Sequence, residues 1–113
     1  RLLDGAPAVG PGVNRGEVWL GEAGGKVRPV VVLTRDEVLA VRSRVTVAEV
    51  TTSIRGLAVE VPIDDELGLD RPSVVNCDGL YTVPIGSLTR SVGRLDDDTM
   101  SHVCWAVHRA LGC

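Results

Sequence analysis

Arg28-Pro29-Val30-Val31-Val32-Leu33-Thr34 is the stretch whose reading decides the fold class of this chain. Valine after valine, closed by a leucine and bounded by polar residues, is the pattern of a short strand buried on both faces. Proline cannot donate to a sheet ladder, so Pro29 is expected at the first position of that strand or on a sheet edge. Arg28 then stands where a loop enters a buried strand. Its permanently charged guanidinium must stay at the mouth of the fold, because burying it unpaired is prohibitive. Two readings fit this position: a surface arginine at a strand end, or a functional cation at a rim.

The 113 residues suffice for one domain with a single core. With no Phe and one Met, valine must fill that core, which leans towards sheet. The net charge of −3 gives no global basic field of the kind that advertises nucleic acid. Lys26 is nevertheless the single lysine, and every other basic residue is arginine, the side chain suited to bidentate phosphate contacts. A local arginine-lined groove is compatible with an acidic chain. Cys77, Cys104 and Cys113 are odd in number and show no metal-ligand spacing, which fits free thiols in a reducing cytoplasm. No stretch approaches the ~20 apolar residues of a membrane span, and no signal peptide is visible.

Outward from the valine run, residues 1–14 hold three glycines and two prolines without periodicity and read as a flexible leader or upstream extension. The domain is expected over residues 15–113. Arg15 to Leu20 alternates as a first strand, and the glycines at 21, 24 and 25 make the loop that leads to Arg28. Asp36 to Arg42 predicts one or two helical turns capped by Asp36. Val45 to Thr51 alternates with a period of two as a half-buried strand, whose Val45–Val47 face turns polar at Glu49. Further strands are expected at Leu57–Ile63, Pro72–Asp78, Leu80–Ile85 and Ser91–Leu95. A terminal helix starts at Asp96 or Asp97 and stops at Gly112, with Met100, Val103, Cys104, Val107 and Leu111 on one packing face. Trp19 and Trp105 read as structural. The architecture implied is mainly β, a small and strongly bent sheet or barrel closed by the C-terminal helix.

Several catalytic patterns fail on geometry. His102 and His108, six residues apart at ~100° per residue, point roughly 120° away from each other and cannot converge on one phosphate. Asp96, Asp97 and Asp98 splay around a helix start, where carboxylates already serve the dipole. The acidic Asp64-Asp65-Glu66 reads as a solvated loop rather than a metal site. What remains is Arg28, Thr51-Thr52-Ser53, Asn76 and Asp78, all at the ends of apolar strands. One rim of a small barrel can bring such ends together. An arginine there can stabilise charge on a phosphate while a carboxylate takes the proton of a ribose 2′-hydroxyl, without a metal or other cofactor. Threonines and aspartates at strand ends also make ordinary turns, so composition leaves both readings open.

Arg15-Gly16-Glu17-Val18-Trp19, Arg28 to Leu33, Val47-Ala48-Glu49-Val50-Thr51-Thr52-Ser53, Ser73-Val74-Val75-Asn76-Cys77-Asp78 and Val92-Gly93-Arg94-Leu95 resemble, in order, the motifs of the MazF/PemK/Kid toxins, in a valine-rich style similar to mycobacterial members. The resemblance implies an SH3-like β-barrel with a C-terminal helix, assembled as a homodimer. It further implies a metal-independent endoribonuclease that cuts single-stranded RNA at short motifs, leaves 2′,3′-cyclic phosphate and 5′-hydroxyl ends, and is neutralised by a cognate MazE-like antitoxin. By the same resemblance Arg28, Thr51 and Asp78 are catalytic, and Thr52, Ser53, Asn76 and Arg55 bind substrate. Two departures stand out. The loop from Trp19 to Arg28 is short, and Glu22 in it takes no assigned role. Asn76 replaces the arginine that Kid carries two residues before the aspartate. The positive charge therefore falls to Arg28 or to another arginine, such as Arg55 or Arg90. The related CcdB-like gyrase poisons, which act by protein binding, are the alternative class. An SH3-like peptide-binding module would need an aromatic groove that this chain lacks.

Overall fold

The computed structural model describes residues 12–63 and 67–113. Six strands, β1 (Glu17–Ala23), β2 (Lys26–Val32), β3 (Arg44–Thr51), β4 (Glu60–Ile63), β5 (Ser73–Pro84) and β6 (Leu88–Arg94), form one antiparallel sheet in the order β4-β5-β3-β2-β1-β6. Helix α1 (Asp36–Leu39) joins β2 to β3, and α2 (Asp97–Leu111) ends the chain.

The valine run is buried on both faces, as its composition predicts. Val31 belongs to one apolar cluster with Val18, Ala48, Val50, Val75 and Cys77, which α2 covers with Val103 and Ala106. Val30 and Val32 belong to a second cluster, with Val45, Val47, Leu39 and Leu88, on the opposite face. β3 divides its side chains the same way, so it is buried on both faces rather than half-buried: Val45, Val47, Ala48 and Val50 are all in the core. A period of two therefore sorts residues between two cores, not between core and solvent.

The sheet does not close into a barrel. The edge strands β4 and β6 share no ladder, because β4 is only four residues long and a cleft lined by Ile63, Leu67, Arg94 and Thr99 separates their ends. Leu67 fills the space over β6: a Cβ on Gly93 would lie 2.7 Å from its Cδ2. The structure is a six-stranded bent sheet with a C-terminal helix.

Other boundaries differ for local reasons. Gly24 and Gly25, at φ 63° and 79°, make a two-residue hairpin turn between Ala23 and Lys26, so β2 begins before Arg28. Pro29 thus lies inside β2, but one residue outside the β2–β3 ladder, which starts at Val30. The two strands expected at 72–78 and 80–85 are one strand that carries a bulge. Residues 57–59 precede β4 instead of belonging to it. Asp36 is not a cap; its carboxylate accepts from the Arg15 backbone at 2.7 Å. Helix α2 is capped by Asp96, which accepts from the Thr99 N–H, and by Gly112 in the left-handed region. Trp105 and Leu111 are exposed rather than packed, and Trp105 stacks on His108. Of the expected leader, Val13 is buried in the second cluster, while residues 1–11 lie outside the described residues, as do Asp64, Asp65 and Glu66.

Candidate active site

The site forms where the β3–β5 ladder breaks. Ala48 pairs with Leu80, but the next residue, Glu49, pairs with Asn76, so Cys77, Asp78 and Gly79 bulge out of register. The bulge turns Cys77 into the core, where burial, then Asp78 and Cys104, push its thiol up to about 11. It also sets Gly79 over the Glu49 side chain. A Cβ on Gly79 would lie 2.5 Å from the Glu49 carboxyl carbon, so any larger residue there would have to push the carboxylate aside.

Glu49 stands on the same face of β3 as Val45 and Val47 and collects three donors. Arg28 Nη1 donates to its Oε1 at 2.5 Å, Asn76 Nδ2 donates to its Oε2 at 2.7 Å, and the Tyr81 hydroxyl donates to Oε1 at 3.4 Å. The Arg28 and Glu49 side chains are 21% and 13% exposed, which makes this a largely desolvated, charge-assisted contact. Arg28 Nε is buried with no acceptor, so Glu49 holds the guanidinium from one side only. Asn76 is fixed at both ends, since its Oδ1 accepts from the Asp78 backbone at 3.1 Å.

Thr51 lies two residues beyond Glu49 on β3, and Arg28 lies two residues before Val30 on β2. Because Val30 pairs with Glu49 and the strands are antiparallel, both positions extend in the same direction past the end of the ladder. Thr51 Oγ1 accepts from the Ser53 backbone at 3.0 Å and starts a turn that leaves Thr52 and Ser53 exposed. The rest of this loop is tied down by Glu60, which pairs with Asn76 across β4 and β5. Its carboxylate accepts from the backbone N–H groups of Arg55 and Leu57 at 3.0 and 3.1 Å. Burial pushes the Glu60 carboxyl up, but the N–H groups of Leu57, Arg55 and Gly56 and the Arg55 charge outweigh it and hold it below its ordinary value.

Of the residues singled out in the sequence, Arg28 and Asn76 meet through Glu49, and Thr51 follows Glu49 by two residues past the end of the ladder. Asp78 is exposed on the bulge. Arg55 is exposed and faces Glu60 at 3.6 Å. Neither is hydrogen-bonded to Arg28 or Thr51 among the described residues. Glu49 and Tyr81 are the members that sequence reasoning missed. The available signal was Glu49 itself, a charge at a core-facing position of an otherwise apolar strand face. No group of three His, Cys, Asp or Glu side chains able to hold a metal occurs among the described residues. His102 and His108 are exposed on α2, which covers the opposite face of the sheet. The arrangement presents a half-buried guanidinium, restrained by a carboxylate, at a strand end past which Thr51 opens a turn. That is a site for stabilising negative charge on a phosphate.

Residues 14–111 match the family of PemK-like, MazF-like toxins of type II toxin–antitoxin systems. The chain is similar to endoribonuclease MazF3 of Mycobacterium tuberculosis, 51% identical over 70 residues, covering 62% of this chain and 68% of that protein. It is also similar to the probable endoribonuclease MazF5 of Mycobacterium tuberculosis, 44% identical over 105 residues, covering 88% and 93%. Among solved structures it resembles Mycobacterium tuberculosis toxin MazF-mt6, with a TM-score of 0.79 and 40% identity over 85% of this chain and 96% of the other.

Proposed function

This chain belongs to the PemK-like, MazF-like toxin family, and from that membership and the geometry around Arg28 we propose that it is a sequence-specific, metal-independent endoribonuclease. Its substrate is single-stranded RNA, and its products carry 2′,3′-cyclic phosphate and 5′-hydroxyl ends. The observation that carries the reading is the half-buried Arg28 guanidinium restrained by Glu49, at the ladder end past which Thr51 also extends. Arg28 stabilises the charge that develops on the scissile phosphate, and Thr51 orients that phosphate. Asp78, exposed on the bulge beside Asn76, is the carboxylate open to a ribose 2′-hydroxyl and acts as general base. Thr52, Ser53 and Arg55, all exposed, line the path of the RNA. Asn76, buried with its amide held by Glu49 and the Asp78 backbone, contributes through Glu49 rather than by touching the substrate.

The toxin acts in the cytoplasm as a homodimer and is held inactive by a MazE-like antitoxin, whose acidic segment competes with RNA for the arginine-bearing rim. No helix among the described residues is long and apolar enough to cross a membrane. The gyrase-poison alternative is not favoured, because the curated relatives are named endoribonucleases.

The test is cleavage of a long single-stranded RNA by the purified protein in EDTA, with end-group analysis of the fragments. Discrete cuts ending in cyclic phosphate are expected. Activity that disappears in EDTA and returns with magnesium would refute the metal-free mechanism, and intact RNA would refute the nuclease reading.

A further inference from the structure

We propose that Glu49 is the positioning residue of this site: it sets the direction in which Arg28 presents its guanidinium to the phosphate. The inference rests on the endoribonuclease reading and deepens it. Each oxygen of the Glu49 carboxylate has a donor, Arg28 and Tyr81 on Oε1 and Asn76 on Oε2. The side chain is 13% exposed and is roofed by the Gly79 backbone. A carboxylate fixed by two further donors and a backbone roof cannot swing away to follow the arginine. The arginine is therefore what conforms.

Among the described residues Arg28 has no other restraint of this kind. Its Nε is buried without an acceptor, and the β2–β3 ladder has ended by this point of the strand. A long side chain left to its own rotamers would sample many directions, and ordering it at each turnover would cost entropy. Glu49 removes that cost before RNA arrives. Glu49 takes Nη1, and among the described residues nothing takes Nη2, which leaves it for a phosphate oxygen. Asn76 completes the device. It anchors Glu49 through Nδ2 and ties the bulge through Oδ1, so the carboxylate's place follows the bulge geometry.

The test compares Glu49→Gln, Glu49→Ala and Gly79→Ala with wild type in single-turnover and steady-state cleavage of an RNA oligonucleotide. Gly79→Ala keeps the charge but drives a methyl group into the carboxylate, so it displaces Glu49 without removing it. All three lower kcat, Glu49→Ala by about 10- to 100-fold, with KM changed far less, the mark of a misaligned charge stabiliser. Glu49→Gln, which keeps an acceptor oxygen, retains more activity than Glu49→Ala. In an Arg28→Ala background the Glu49→Gln change costs nothing further. A folded Glu49→Ala variant with wild-type kcat, or losses that multiply fully in the Arg28→Ala background, overturns the inference. The Arg28 Nε–H signal in NMR of the RNA-free protein provides a readout independent of cleavage. It exchanges and broadens on Glu49→Gln if Glu49 fixes the arginine and is unchanged if it does not. Wild-type protein that fails to cut RNA would bring down the proposed function, while this NMR comparison would still decide whether Glu49 positions Arg28.

Discussion

Glu49 and Arg28, 21 residues apart in the chain, meet through a 2.5 Å charge-assisted hydrogen bond at the end of the β2–β3 ladder. The contact has two consequences. It lets an arginine stay half-buried in a strand that runs on into three buried valines, and it leaves that arginine aimed rather than free.

Arg28→Ala is expected to lower RNA cleavage by about 10²- to 10³-fold, the usual loss when one stabilising donor is removed from a reacting centre. Glu49 keeps Asn76 and Tyr81, so the variant stays folded at a cost of about 1–3 kcal/mol. Cleavage kinetics beside a urea melt check both parts. A folded variant with wild-type activity removes Arg28 from the mechanism.

Asp78→Asn separates the carboxylates. If Asp78 is the general base, the rate falls at least about 100-fold. Asp78 is exposed, so its neutralisation leaves the melting transition where it was. An unchanged rate excludes it as the base.

Thr51→Ala removes the hydroxyl proposed to orient the phosphate, which is also the acceptor that starts the loop at Ser53. Activity is expected to fall by orders of magnitude. Thr51→Ser, which keeps the hydroxyl, restores most of it. Equal activity in the two variants would remove the Thr51 hydroxyl from the mechanism.

Glu60 predicts a pH dependence of stability. Its folded value lies below the ordinary 4.5, so the folded chain binds this proton more weakly than the unfolded chain. The stabilisation is complete above the ordinary value and is lost as the pH falls through the depressed one. Urea unfolding followed from about pH 6 down to about pH 3 should show a shallower loss in Glu60→Gln than in wild type. Amide exchange of Arg55 and Leu57 should speed up in the same variant. Parallel curves would show that Glu60 does not carry the acid sensitivity.

The three thiols should react in the order of their exposure. Cys113 is exposed and Cys104 half-buried, whereas Cys77 is fully buried with its thiol raised to about 11. At about pH 8, iodoacetamide should label Cys113 quickly and leave Cys77 unlabelled until denaturant is added. Early labelling of Cys77 would mean that the bulge opens in the native state.

The local features of this protein were legible in its sequence because they depend on near neighbours. Valine at 30, 31 and 32 reports a strand buried on both sides, Asp96 and Gly112 report the ends of the helix, and Arg28 and Thr51 stand out as polar residues at strand ends. Tertiary structure decided what depends on register. The number of residues looped out at Cys77–Gly79 brings Asn76, not Asp78, opposite Glu49, and no propensity encodes that number. The same bulge converts Glu49 from an odd charge on an apolar face into the partner of Arg28, and it makes one strand where two were expected. The open edges of the sheet were likewise undecided until β4 proved too short and Leu67 filled the space over β6. Side-chain period and capping act over a few residues, whereas a bulge or an unclosed edge is set by how strands far apart in the chain fit against each other.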